Sequence, residues 1–319
     1  MKIMTETKET DGLKIALPNG SLEEGTLRLF EEANLKIRKD SRKHDAQIDD
    51  PLISQVTFMR PQHIPRLVEK GIYDVGICGW DCVCESNTWA VEVAKLSYGR
   101  GTSSGKAKIV LITSKDNPAQ SIREVERGSV VLSEYPNRTK ECFAAFHIPI
   151  GIDFSYGGTE AHILRDYLYG VCLSDTGASI AANGLKIIHT LLETHTSLIV
   201  SREIWLISSE LEVPENPKQE MVKALVHLLL GVLDAREQVF LVMNVSVGKK
   251  GGLLQQLPAL KTPTVTPLAN SDYFSVGAVV RKDGLSTLIP SLLLNGAEDL
   301  IEMPISKVIR SWQATKRAK

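Results

Sequence analysis

The residue types best suited to chemistry lie in short glycine- and hydroxyl-rich runs at the ends of apolar stretches. Ser174-Asp175-Thr176-Gly177-Ala178-Ser179 follows the apolar YGVCL and opens a helix-like ASIAANGL. Two or more hydroxyls, a glycine and successive backbone N–H groups at a helix start suit a phosphate, and an adjacent aspartate suits sugar hydroxyls or a bound Mg2+. An ordinary N-cap on Asp175 or Thr176 uses the same residue types. Three further runs share this setting: Asn19-Gly20-Ser21 after LKIALP, Glu134-Tyr135-Pro136-Asn137-Arg138-Thr139 after SVVLS, and Gly157-Gly158-Thr159-Glu160 after IDFSY. Each alone reads equally as a turn. Their recurrence at strand ends, with Gly79 closing DVGICG, points to a ligand cleft between two α/β units.

Other candidates carry less. Cys78, Cys82 and Cys84 crowd together, but they contain no CxxC pair and have no histidine beside them in sequence, so structural zinc is not expected. His63, His147, His162, His189, His195 and His227 are scattered and read as surface or satisfied core residues rather than as general bases. His44 sits in the basic run RKDSRKHD, which reads as a solvated loop.

The elements that would position these runs follow from apolar periodicity. The chain has 319 residues, 43% of them hydrophobic, enough for roughly two domains of about 150 residues. Charges nearly cancel at a net of -1, which excludes a broad field for nucleic acid or an anionic membrane. Five cysteines behind a polar start imply a reducing, cytoplasmic setting without a disulfide framework. Even VKALVHLLLGVLDA is interrupted by Lys223, His227 and Asp234, short of the roughly 18 apolar residues of a membrane span.

LKIALP reads as a strand and SLEEGTLRLFEEANL as a helix, with Ser21 and Glu24 spaced as a capping box. SQVTFMRP, DVGICG, KIVLIT, SVVLS, YGVCL and TSLIVS read as further strands, with short helices between them. Residues 203 to 220, with Pro214 and Pro217, read as a linker before a helix at about Gln219 to Arg236. From Gln238 the order is βαββαβ, the split βαβ or ferredoxin-like arrangement, about 80 residues long. The expected class is α/β: a first lobe over 1–105, completed by about 191–236, a second lobe over 106–190, and a separate module over 237–319.

These residues resemble the ATP phosphoribosyltransferase family in its long form. The resemblance rests on IALPNGSLEEGTLRLFEEA, RPQHIPRLVEKGIYDVGICGWD, SEYPNRTKECF, GGTEA, DTGASIAANGLKIIHTLLETHTSLI, LPALKTPTVTPL and NGAEDLIEMPISKVI, and covers nearly the whole chain. It implies a two-lobed catalytic core like a periplasmic binding protein and an ACT-like third domain that binds histidine as an inhibitor. The implied reaction is Mg2+-dependent transfer of phosphoribosyl from phosphoribosyl pyrophosphate to N1 of ATP. It also implies a homo-oligomer in which dimers build hexamers.

By resemblance, Asp175, Thr176, Gly177, Ala178 and Ser179 cradle the donor's 5-phosphate. Asn19, Gly20, Ser21, Gly79, Trp80, Asp81, Glu134, Asn137 and Thr139 line the nucleotide and pyrophosphate cleft, joined by Gly158, Thr159 and Glu160. Metal ligands come largely from the substrate's phosphates. The effector site is placed at Thr264 and at Gly296-Ala297.

The chain departs from the family pattern where carboxylates usually engage the ribose hydroxyls: Leu168 and Cys172 stand there, and Asn19 stands where a lysine is common. A charged hydrogen bond is worth about 1.5 to 3 kcal/mol, so such a loss would cost roughly tenfold to over a hundredfold in donor binding or rate. A catalytically impaired homologue acting as a regulatory subunit, and a two-lobed small-molecule binding protein, are the competing readings.

Overall fold

The computed structural model describes residues 12–39, 45–99, 106–163, 165–205, 216–259, 262–269 and 271–311. The basic run around His44, most of the linker and the last residues of the tail lie outside them. The chain divides into two units, Met1–Val226 and His227–Lys319.

The first unit is built on two sheets that share one strand. In chain order its elements are β1 (Leu13–Pro18), α1 (Glu23–Glu32), β2 (Ile37–Lys39), β3 (Asp45–Ile48), β4 (Ile53–Met59), α2 (Ile64–Glu69), β5 (Val75–Gly79), α3 (Trp80–Ser86) and β6 (Val91–Leu96). Then follow β7 (Lys106–Ser114), β8 (Val130–Ser133), α4 (Pro136–Ala145), β9 (Gly151–Phe154), α5 (Thr159–Ile163), β10 (Tyr169–Ser174), α6 (Ala178–Ala182) and β11 (Leu185–Val200). The strand order is β2-β3-β4-β1-β5-β11-β7-β10-β8-β9, with β6 paired to β11.

The long strand β11 makes the link. Its first part, Leu185 to His195, pairs with β7 of lobe II, and Thr196 to Val200 pairs with β5 and β6 of lobe I. Sequence periodicity finds only its end, TSLIVS, as a strand. The polar residues Thr190, Glu193, Thr194 and His195 interrupt the apolar pattern where the strand passes from one lobe to the other, and two of them, Thr194 and His195, line the cleft described below.

Apolar runs without alternation form these strands because both sheet faces are covered. In lobe II, Ile109, Leu111, Tyr169 and Val171 pack with Val131 and Phe143 on one side, whereas Val110, Ile112 and Cys172 pack with Ile163 and Ile180 on the other. Lobe I repeats this with Ala16, Ile64, Val68, Cys78 and Ile199.

The capping box expected at Ser21 and Glu24 does not form. Gly20, at φ 77°, turns the chain into a 3-10 turn over Gly20–Leu22, so Ser21 lies inside the turn and Leu22 takes the N-cap position of α1.

Helix α7 (Pro217–Arg236) runs through the boundary between the units. Beyond it, β12 (Gln238–Ser246), α8 (Lys250–Gln256), β13 (Thr264–Pro267), β14 (Tyr273–Arg281), α9 (Leu285–Leu294) and β15 (Ala297–Pro304) give the βαββαβ order. The sheet is antiparallel in the order β13-β14-β12-β15, which is the ferredoxin-like arrangement. β12 alternates buried Leu241, Met243 and Val245 with half-buried neighbours, and Leu253 of α8 and Leu292 of α9 close that face. Among the described residues no helix is long and apolar enough to cross a membrane.

Candidate functional site

A cavity opens where β11 crosses between the lobes. Lobe I contributes Gly79, Asp81 and Cys82; lobe II contributes Tyr135 and Asp175; Thr194, His195 and Thr196 of β11 form part of its wall.

Asp81, only 6% exposed, is its best-tied polar group. The corner Gly79-Trp80-Asp81 turns β5 directly into α3, and Asp81 sits in the first turn of that helix, where a carboxylate is favoured. Its Oδ1 accepts from the Thr194 hydroxyl at 2.8 Å and its Oδ2 accepts from the Tyr135 hydroxyl at 3.0 Å, while Thr194 Oγ1 accepts from the Asp81 N–H at 2.9 Å. One carboxylate thus joins lobe I, lobe II and the crossing strand. Burial first, and then the Asp81 charge, push the Tyr135 phenol well above its usual range, so it remains a donor. Gly79 is required by space: a Cβ there would stand 2.1 Å from Asp81 Oδ1.

A second bridge lies one turn further along α3. Glu85 accepts from the backbone N–H groups of Asn137 at 2.8 Å and Arg138 at 3.0 Å, and so caps α4 from the other lobe. The Asn137 side chain donates to the Glu85 carbonyl at 2.8 Å, which ties Asn137 to this bridge. Thr139 is fully buried; its hydroxyl meets Ser133 and donates to the Tyr135 carbonyl.

Glu134 accepts from the Thr159 hydroxyl at 2.9 Å, and Thr159 also meets Ser155, so the β8 and β9 ends are held together beside Gly158 and Glu160. At the end of β10, Gly177 at φ 77° is the N-cap of α6, in place of the Asp175 or Thr176 cap that spacing allowed. Ser174 Oγ accepts from the Gly177 N–H at 3.0 Å and Thr176 Oγ1 from the Ala178 N–H at 3.3 Å. Asp175, Thr176, Ala178 and Ser179 are exposed, and Asp175 lines the cavity. Gly20 and Ser21 are exposed, while Asn19 is half-buried with its Oδ1 shielded and without a hydrogen-bond partner.

The two positions that depart from the family pattern are separated. Leu168, 57% exposed, precedes β10 and lies in a depression with Thr113 and Ile163, whereas Leu173 and Asp175 at the other end reach the cavity. Four residues of strand span roughly 13 Å, so Leu168 and Cys172 do not share one sugar site. Cys172 is buried between Ile163 and Ile180; burial first, then the charges of Glu160 and Glu134, push its thiol far up, and it stays neutral.

Sequence reasoning included Tyr135 in a candidate run but missed Thr194 and His195. The signal was present: polar residues interrupting an otherwise apolar strand. His195, read as a scattered surface or core residue, is brought to the cavity by the crossing of β11.

In the second unit, Thr264 on β13 and Ala297 on β15 occupy opposite edges of the sheet, with β14 and β12 between them. Three strand spacings are roughly 14 Å, so within one chain these positions do not converge. Gly296, at φ 92°, lies against Lys249.

Among the described residues no three His, Cys, Asp or Glu side chains cluster as a metal cage. The donor set fits a magnesium ion of the kind held by one or two carboxylates, water and substrate phosphates. Asp175 is the exposed carboxylate at the cavity, and Glu134 stands in the neighbouring loop.

Two α/β lobes around a cleft, followed by a ferredoxin-like unit, define the class: a cleft-binding α/β core with an appended small domain. Residues 60–227 match the ATP phosphoribosyltransferase family model, and residues 235–307 match the model of that family's C-terminal domain. The ATP phosphoribosyltransferase of Desulfosudis oleivorans is 35% identical over 302 residues, covering 94% of this chain and all of that one. That of Solidesulfovibrio magneticus is 36% identical over 299 residues, covering 93% and 98%. A solved ATP phosphoribosyl transferase (HisG:HisZ) complex from Thermotoga maritima superposes with a TM-score of 0.57 at 21% identity, over 70% of this chain and 98% of that one, a likeness of fold. The chain belongs to the ATP phosphoribosyltransferase family in its long form, and is a pentosyltransferase.

Proposed function

We propose that the interlobe cavity holds ATP and phosphoribosyl pyrophosphate together and joins the ribosyl C1 to N1 of ATP, with loss of pyrophosphate. The carrying observation is that Gly79 to Asp81 of lobe I and Asp175 of lobe II line one cavity.

In this reaction the C1–oxygen bond lengthens and positive charge develops on the ribose before N1 arrives. The protein's work is to orient two anionic substrates and to stabilise that charge. A buried carboxylate already fixed by two hydroxyls, as Asp81 is, presents negative charge without reorganising. Cys172, a neutral thiol under α5 and α6, is no nucleophile. Asp175 to Ser179 offer a loop of backbone N–H groups and hydroxyls to the 5-phosphate, and Asn19 to Ser21, Trp80 and Glu134 flank the nucleotide and pyrophosphate. When bound, Mg2+ would neutralise pyrophosphate charge, with Asp175 or Glu134 as its protein ligand.

The second unit is the module for inhibition by histidine. Because Thr264 and Gly296-Ala297 lie on opposite sheet edges, an effector site using both would be completed between copies of the chain, in keeping with a homo-oligomer of dimers and hexamers. Five free cysteines suit the cytoplasm.

The test is the absorbance change on formation of phosphoribosyl-ATP, with pyrophosphatase to pull the equilibrium. Turnover that requires Mg2+ and is suppressed by histidine is expected. No turnover, with histidine still bound by calorimetry, would leave a regulatory homologue instead.

A further inference from the structure

His195 is held between Glu92 and Trp80. It lines the cavity on the crossing strand, its side chain 19% exposed, and its Nε2 lies 2.6 Å from Glu92 Oε1. The same Glu92 oxygen accepts from the Ser197 hydroxyl at 2.6 Å, and the imidazole stacks on Trp80 with the rings 8° from parallel and 6.2 Å apart. An ionised carboxylate only accepts, so Nε2 carries a proton, and the tautomer this selects for a neutral imidazole has its lone pair on Nδ1. Burial raises the Glu92 pKa, but the hydrogen bonds from His195 and Ser197, together with the nearby His195 and Lys95, outweigh that and lower it from the ordinary glutamate value.

A hydrogen-bond acceptor of fixed tautomer, set beside a flat ring in a nucleotide cleft, discriminates by donor pattern. It is unfavourable beside phosphate oxygens, which are acceptors too. It suits a ring amine or a sugar hydroxyl. Of these, the 6-amino group of adenine is the donor that lies in the plane of a stacked base. A 6-oxo purine presents an acceptor at the same place and would leave two lone pairs facing each other.

We propose that His195 is a specificity-determining residue that accepts a hydrogen bond from the 6-amino group of the purine, its tautomer set by Glu92 and its plane by Trp80. This rests on the reading of the cleft as the ATP site. The hydrogen bond also leaves electron density on the ring as N1 becomes bonded to carbon, so it persists into the transition state.

The experiment measures kcat/KM for ATP and the inhibition constant of inosine triphosphate, whose N1 carries a proton and so makes it a competitor and not a substrate, in the full chain, in His195→Leu, in His195→Asn and in Glu92→Gln. In His195→Leu kcat/KM for ATP is expected to fall about tenfold, the worth of one hydrogen bond, with little change in the inhibition constant of inosine triphosphate. His195→Asn, whose amide oxygen can accept near the Nδ1 position, restores part of that loss. Glu92→Gln, which no longer dictates the tautomer, lowers kcat/KM for ATP as well; this variant decides the matter if His195→Leu does not fold. Equal losses in kcat/KM for ATP and in affinity for inosine triphosphate, or a change confined to the KM of phosphoribosyl pyrophosphate, would overturn the proposal, the latter assigning Nδ1 to a ribose hydroxyl. Absence of turnover in the unaltered chain would instead overturn the functional reading, and the proposal with it.

Discussion

The two lobes meet the cleft in opposite ways. On the lobe I side, Asp81 is buried and its hydrogen bonds are made before any ligand arrives. On the lobe II side, Asp175, Thr176 and Ser179 are exposed, and the loop's hydroxyl contacts are local to Ser174 through Ala178. A buried wall contributes to stability and to the reaction alike, whereas an exposed rim contributes to binding with little bearing on the fold. Substitutions on the two sides should therefore separate into different classes of defect.

The largest effect is expected at Asp81. Asp81→Ala leaves the Tyr135 and Thr194 hydroxyls without their shared acceptor, a cost of about 2 to 4 kcal/mol, read as a lowered thermal midpoint together with lost turnover. Gly79→Ala should reproduce a milder form, about 1 to 3 kcal/mol for an overpacked site, because the added methyl occupies the place of the Asp81 carboxylate. On the rim, Asp175→Ala should raise the KM for phosphoribosyl pyrophosphate roughly tenfold, the worth of a charge-assisted contact, with an unchanged melting curve. Glu85→Ala removes the cap that lobe I supplies to α4 and should cost about 1 kcal/mol, seen by calorimetric melting.

The smallest effect concerns pH. The bonds from His195 and Ser197 lower the Glu92 pKa against the opposing pull of burial. That contribution to stability is present above the ordinary glutamate pKa and is lost as the pH falls through the lowered value. Glu92→Gln should therefore flatten the acid limb of the melting temperature against pH, while a limb of unchanged slope would show that Glu92 does not report there.

Much of this architecture was legible in the sequence. Unbroken apolar runs such as KIVLIT and YGVCL read as strands because both of their faces are buried, and the order of strands such as VFLVMNV and YFSVGAVVR with the helices between them gave the ferredoxin-like arrangement of the second unit. Glycine at strand ends pointed to Gly79 and Gly177, whose roles are spatial: room for a carboxylate in one case, a left-handed N-cap in the other. What periodicity could not show was the passage of β11 between lobes, since Thr194 and His195 break an apolar pattern for the sake of a cleft formed by residues distant in the chain. The separation of Leu168 from Cys172, by contrast, follows from spacing once YGVCL is read as a strand, since four residues of strand span roughly 13 Å.

The division of labour between wall and rim is tested most directly by steady-state kinetics on three chains: the unaltered protein, Asp81→Asn and Asp175→Ala. The account predicts phosphoribosyl-ATP formation in the first, a fall in kcat in the second with little change in KM, and a rise in the donor's KM in the third with kcat retained. Turnover in Asp81→Asn equal to that of the unaltered chain would contradict it.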